Sequence, residues 1–201
     1  MQVTDGGGRS VTVTARRAQI VAATVEVIAE FGYAKASFAR IAARAALSST
    51  RLISYHFAGK DELIAAVTRE VIDSIGRYAA SRLAVADSAA GMLRAYIMAM
   101  VEFTAAHRVS MTALMEIVLG GGLRHDAAAD RDVVGPVEAI LRRGQADGEF
   151  REFDVVVMAT AVQRAVEGLP FLLQARPELD CAAYGRELVT LFELGTRMSP
   201  T

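Results

Sequence analysis

The sequence is short of the residues that staple or interrupt a fold, with one cysteine, four prolines and no tryptophan in 201 residues. Cys181 alone leaves no internal disulfide, which agrees with a reducing compartment, and it reads as a small core residue on a helix. So few prolines in a chain that is 53% hydrophobic favour helices with large buried faces. Only His56, His107 and His125 are available as imidazoles, and none sits at a metal-ligand spacing such as His-x-x-x-His. A Gly-x-Ser-x-Gly elbow is missing, as is a nucleotide-binding glycine pattern after a strand. These absences argue against an enzyme, and no metal or cofactor is expected. Charge interrupts the apolar stretches before the roughly 18 residues that a membrane crossing requires. The stretch Met1 to Thr14 also lacks the apolar segment of a signal peptide. A cytoplasmic protein without a membrane partner is the expectation.

Net charge is only -1, but it is unevenly placed. Eight basic residues (Arg9, Arg16, Arg17, Lys35, Arg40, Arg44, Arg51, Lys60) face three acidic ones (Asp5, Glu26, Glu30) up to residue 60. That third carries +5 and the remainder -6. A basic head on an acidic body is the distribution that a phosphate-binding module would show.

Periodicity predicts an all-α chain of about nine helices. Residues 1–12 read as a disordered tail. A first helix from about Thr14 to Phe31 places Ile20, Thr24, Val27, Ile28 and Phe31 on one face, and Gly32 stops it. Ser37 can cap a short second helix bearing Phe38, Ile41, Ala42 and Ala45. Ala46, Leu47 and Ser48 form a tight turn, and Ser49 can cap a third helix ending near Phe57. A fourth helix, from Lys60 to about Leu83, would be roughly 35 Å long. Further helices are predicted near 88–106, 108–119, 133–147, 154–175 and 178–197. Gly120 to Asp132 is the one long irregular connection. Its three glycines lack the lysine and Ser/Thr of a phosphate loop, so a flexible loop is expected.

Ser37 to Phe57 has the pattern of a helix-turn-helix. Small residues from Ile41 to Ala46 let the first helix approach its partner, and Ser49-Thr50-Arg51 opens a second helix with polar groups. The wording of the sequence adds to this. Phe31-Gly32-Tyr33, Ile41-Ala42, Ala45-Ala46-Leu47-Ser48, Tyr55-His56-Phe57 and Gly59-Lys60-Asp61-Glu62-Leu63 together resemble the N-terminal signature of TetR-family regulators, over about Thr14 to Val67. Further along the likeness is only in layout. Two departures stand out: Ala46 replaces the usual turn glycine, which suits negative φ, and Ala45 to Phe57 is one residue longer than is common. Anchoring on Phe57 makes Ile53 and Phe57 share an inner face, leaving Thr50, Arg51, Ser54 and Tyr55 outward. Anchoring on Ala45 instead turns Leu52 inward and rotates the reading face.

The resemblance implies a three-helix DNA-binding domain with a helix-turn-helix at 13–60 and a helical ligand-binding and dimerisation domain at 61–201. Arg51 is the candidate for a guanine edge, because its planar fork can donate to O6 and N7 together. Thr50, Ser54 and Ser49 can bond bases or phosphates. Tyr55 and Lys60 resemble family positions that hold phosphates. Ser37 can combine its hydroxyl with helix N–H groups on a phosphate. Arg44, and Arg16 or Arg17, are candidate supplementary clamps, and His56 either touches the DNA backbone or ties the third helix to the fourth.

One helix-turn-helix reads too few base pairs to be selective, so a homodimer on a near-palindromic operator in double-stranded DNA is implied. The family pairs its last two helices across the two-fold axis, which points to Val162, Val166, Leu188, Leu191 and Phe192. Methionines and aromatics in the middle helices can line an adaptable apolar pocket. Tyr96, Met100, Phe103, Met115, Gln163 and Phe171 are its candidate lining, for a small hydrophobic organic ligand that releases the repressor. A DNA-binding or protein-interaction module without ligand response is the alternative.

Overall fold

The computed structural model describes the backbone of residues 6–122 and 127–198 and the side chains of 13–122 and 133–198. Ten α-helices run through the described residues, which form no β-sheet: α1 Gly6–Phe31, α2 Phe38–Arg44, α3 Arg51–His56, α4 Lys60–Leu83, α5 Ala89–Ala106, α6 Arg108–Leu119, α7 Ala127–Ala146, α8 Val155–Glu167, α9 Leu169–Ala175 and α10 Cys181–Thr196. A 3-10 turn, Tyr33–Lys35, follows α1. The nine expected helices are all present, the eighth being divided at Gly168 ahead of Pro170.

Three expectations are corrected. The first helix starts at Gly6, so residues 6–12 are helical rather than part of a disordered tail, while residues 1–5 lie outside the described residues. Once Ile20 and Val27 anchor α1, each added residue gains a hydrogen bond for one ordered residue, without a new nucleus. The seventh helix begins at Ala127, where three alanines extend it N-terminally past Pro136. Finally, Val155–Ala175 is long and apolar enough by composition to cross a membrane, with mean hydropathy 1.4. It nevertheless carries an Arg164–Glu167 ion pair of 2.5 Å and buries Ala159, Val162, Val166, Leu169 and Leu173 within the protein.

The chain forms two compact units. The first comprises residues up to Ile72 together with Val109–Arg124, so α6 joins the helix-turn-helix rather than the body, and the division expected after residue 60 falls inside this unit. Its core combines Ile20, Val27 and Ile28 of α1, Ile41, Ile53, Phe57, Leu63, Ile64 and Val67 with Ala113 and Ile117 of α6. Thr24 is also buried, and its hydroxyl donates to the Ile20 carbonyl at 2.7 Å. At the end of α1, Gly32 takes φ 83 and donates to Ile28 O at 2.8 Å. A side chain there would be strained by about 1 kcal/mol or more.

The second unit spans Asp73–Arg108 and His125–Thr201. Leu93, Tyr96 and Ile97 of α5 pack with Val137, Ile140 and Leu141 of α7, Val162 and Val166 of α8, and Val189 and Phe192 of α10. Ser88, Asp154 and Asp180 cap α5, α8 and α10 by accepting from backbone N–H groups. Glu149 also accepts from Ala89 and Ala90 N–H at 2.9 and 3.0 Å. These bonds hold its carboxyl below the ordinary value.

Candidate nucleic-acid interface

Two short helices and the turn between them build the candidate interface. Ser37 caps α2, its Oγ accepting from Arg40 N–H at 3.3 Å. At the other end Leu47 N–H donates to Ala42 O at 2.9 Å and Ala46 N–H to Ala43 O at 3.2 Å. This pair of bonds is a Schellman closure, which puts its pivotal residue in the left-handed region. Ala46 occupies that position with φ 50, correcting the expectation of a negative φ. Its strain is offset by two satisfied carbonyls and by Leu47, which packs against the core.

From this turn α3 emerges in the register anchored on Phe57. Ile53 and Phe57 are fully buried, Leu52 is half-buried, and Thr50, Arg51, Ser54 and Tyr55 are exposed. Tyr55 is 77% exposed, far more than an aromatic ring with a structural task would be. Ser49 contributes to the start of α3, its Oγ accepting from Arg51 N–H at 3.1 Å, although the helix begins at Arg51. The Arg51 guanidinium therefore stands on the outer face of the first turn, beside two exposed hydroxyls. A planar five-donor group beside hydroxyls suits base edges and phosphate oxygens.

The start of α4 is fixed from two directions. Glu62 accepts from Ala58 N–H at 2.7 Å and from Arg17 at 3.0 Å, and the backbone bond foremost, then the guanidinium, hold its carboxyl below the ordinary range. Arg17 also donates to His56 O and lies 4.1 Å from the centre of the Phe57 ring. It ties α1, α3 and α4 together, so a task as a phosphate clamp is not needed to explain it. Arg44, also expected to clamp phosphate, is engaged within the chain by Glu26 at 3.0 Å and by Glu30. Those two carboxylates stand on the α1 face that α2 packs against. Lys60 is the first residue of α4 and donates to Tyr33 O at 3.1 Å, while half-buried His56 sits edge-on to Tyr55 at 5.1 Å.

In the second unit the expected ligand and dimer residues fall differently. The Tyr96 hydroxyl donates to Gln163 Oε1 at 2.6 Å, and Gln163 Nε2 donates to Glu167 at 2.8 Å. Burial, with a smaller contribution from Glu167, raises the Tyr96 phenol to about 12. Further along α5, Met100 is half-buried and Phe103 is buried, its ring stacked on His107 with centres 4.1 Å apart. Met115 and Phe171 depart from the expected set: the former is buried in α6 within the first unit, and the latter is exposed on α9. Val162 and Val166 are 0% and 2% exposed in their own chain, so they are core and not dimer contacts. Phe192 is also buried and Leu188 half-buried. Leu191, of the expected set, is exposed on α10 at 59%, and with it are exposed Leu194 at 58% and Val156 and Val157 on α8 at 55% and 66%. An amphipathic stripe names apolar positions without saying which pack inside and which face outward.

Comparison with known proteins bears directly on this interface. The profile of bacterial regulatory proteins of the tetR family matches residues 20–67, which cover α2, α3, the C-terminal part of α1 and the start of α4. The HTH-type transcriptional regulator BetI 1 of Chromohalobacter salexigens is 42% identical over 69 residues, which are 34% of this chain and 34% of that protein. The match thus spans about a third of that curated relative. Among solved structures, a bacterial regulatory protein in the tetR family from Rhodococcus RHA1 superposes with TM-score 0.78 at 21% identity, over 92% of this chain and 98% of that one. FadR of Bacillus subtilis, a transcriptional regulator solved with stearoyl-CoA, gives 0.71 at 21% identity, over 87% and 96%. At these identities the structural likeness establishes the fold.

Proposed function

We propose that the chain is a member of the tetR family of bacterial regulatory proteins, whose profile matches residues 20–67, and that it is a transcriptional repressor that binds a pseudo-palindromic operator as a homodimer and is released by a small, largely apolar ligand. The observation that carries the DNA-binding part is the outer face of α3, where Thr50, Arg51, Ser54 and Tyr55 are exposed over a buried Ile53–Phe57 anchor. That short helix enters the major groove, with Arg51 reading a base edge. Ser37 and Lys60, at the starts of α2 and α4, hold phosphates on either side and set the register.

Dimerisation joins the exposed faces of α8 and α10. Val156, Val157, Leu191 and Leu194 supply apolar area that water disfavours on a monomer. The ligand enters the second unit near Tyr96, Met100 and Phe103, where Gln163 and Tyr96 can orient one polar group of an otherwise apolar molecule. The stearoyl-CoA held by FadR, which shares the fold, supports a ligand of that character. The test is binding to duplex DNA across a salt series. Several phosphate contacts predict a steep fall of log affinity with log salt, and a slope near zero contradicts the reading.

A further inference from the structure

The phosphate-holding role given to Lys60 leaves a difficulty that the first unit resolves by itself. Lys60 is the first residue of α4, where the helix dipole is positive and a cation is disfavoured. Asp61 and Glu62 follow in the usual sense for that position, so the lysine is the anomaly. Its ammonium lies 4.5 Å from the centre of the Tyr33 ring and donates to the Tyr33 carbonyl at 3.1 Å. One residue therefore offers the cation both a π face and an acceptor, which leaves two N–H groups free.

Tyr33 is itself held. It occupies a 3-10 turn and is half-buried, and the loop after α6 closes on its ring. A Cβ on Gly122 would lie 2.8 Å from two ring atoms and 3.0 Å from Ile117 Cγ2. A Cβ on Gly120 would press still closer on the same ring and come within 2.9 Å of Glu116 O. Two glycines of the Gly120-Gly121-Gly122 run are thus required by the approach of one aromatic ring. The expected flexible loop is, at this end, a fitted seat.

We infer that Tyr33 is a positioning residue for DNA binding, which orients the Lys60 ammonium toward phosphate and is itself seated by Gly120 and Gly122 of the α6 loop. This rests on the proposed DNA-binding function and adds to it a dependence on residues far from α3 in sequence. Replacing Tyr33 with leucine keeps apolar bulk on the glycines and removes the π face. Replacing Gly122 with alanine displaces the ring and leaves Tyr33 and Lys60 chemically intact. Each change takes the π face from Lys60 and leaves the Tyr33 carbonyl alone to orient it.

The experiment measures affinity and salt slope of the full-length protein on a random-sequence duplex, where phosphate contacts supply essentially all the binding. Helix content by circular dichroism is followed for every variant. Tyr33→Leu and Gly122→Ala are each expected to lose about tenfold in affinity, as for one charge-assisted hydrogen bond. Their slopes should fall by about one, matching Lys60→Ala. Tyr33→Phe should restore both quantities. Adding either change to Lys60→Ala should cost nothing further, because all act through the same ammonium. Mere destabilisation would lower the active fraction and leave the slope alone. Wild-type slopes in both Tyr33→Leu and Gly122→Ala, or full additivity with Lys60→Ala, overturn the inference while leaving DNA binding intact. A wild-type protein that does not bind the duplex overturns the functional proposal as well.

Discussion

Replacing Ala46 with glycine should make the protein more stable, although it removes a methyl group and touches no core residue. Ala46 sits at φ 50 in the closure of α2, with Leu47 N–H on Ala42 O and its own N–H on Ala43 O. An L residue in the left-handed region costs about 1–2 kcal/mol through the approach of Cβ to the following carbonyl. Glycine removes that cost but loses roughly 0.4–1 kcal/mol more chain entropy on folding. The difference favours glycine by about 0.5–1 kcal/mol. In urea denaturation at fixed protein concentration the midpoint should rise with the slope unchanged. Leu47→Ala, which removes the residue packed beside the turn, should lower it. A glycine variant less stable than the parent would mean that Ala46 is not left-handed in solution, and that α2 ends in some other way.

Arg51→Ala should cost about 1–3 kcal/mol at the selected operator and relax preference at one base pair per half-site, whereas Lys60→Ala should weaken all sequences about equally. The reverse pattern in competition binding would refute the register of α3. Leu191→Arg places a cation in the proposed dimer face, and sedimentation should show monomers with helicity kept; an intact dimer would remove α10 from the interface. Glu149→Gln weakens the acceptor at the start of α5, and its effect should depend on pH. The folded carboxyl is held below its ordinary 4.5 by the Ala90 and Ala89 N–H groups, so its contribution is present above that value and lost as pH falls through the lower folded one. The stability gap between parent and variant should therefore narrow in acid, and a gap constant across that range would contradict the assignment.

The sequence made α4 plain because its signals agree: Gly59 breaks the chain, Asp61 and Glu62 follow at the N-terminus, and an apolar face runs through Leu63, Ile64, Val67 and Val71. The four-residue interval between Ile53 and Phe57 favoured one reading face of α3, but the interval from Ala45 left a second register open, which only the burial of both Ile53 and Phe57 closes. The place of α6 was not legible. Ala113 and Ile117 form an apolar face that any helix could cover, and only the folded chain shows that it joins the first unit. The helical periodicity of α8 and α10 marked their apolar residues, but not that Val162 and Val166 turn inward while Val156 and Val157 turn outward. The left-handed Ala46 was hidden for a different reason, since alanine carries no signal of a conformation it rarely adopts. Tyr33 appeared only as part of a motif, and its contacts with Lys60 and two distant glycines exist only in three dimensions.

In the proposed function α3 is the reading helix of a two-fold symmetric DNA-binding protein. Selection of bound duplexes from a random library by the full-length chain tests it most directly. The expected outcome is an enriched site of two inverted half-sites, their centres about one helical turn or roughly 34–36 Å apart, with base preference at one position in each half lost in the Arg51→Ala protein. Recovery of no enriched sequence, or of a single half-site without an inverted partner, would contradict it.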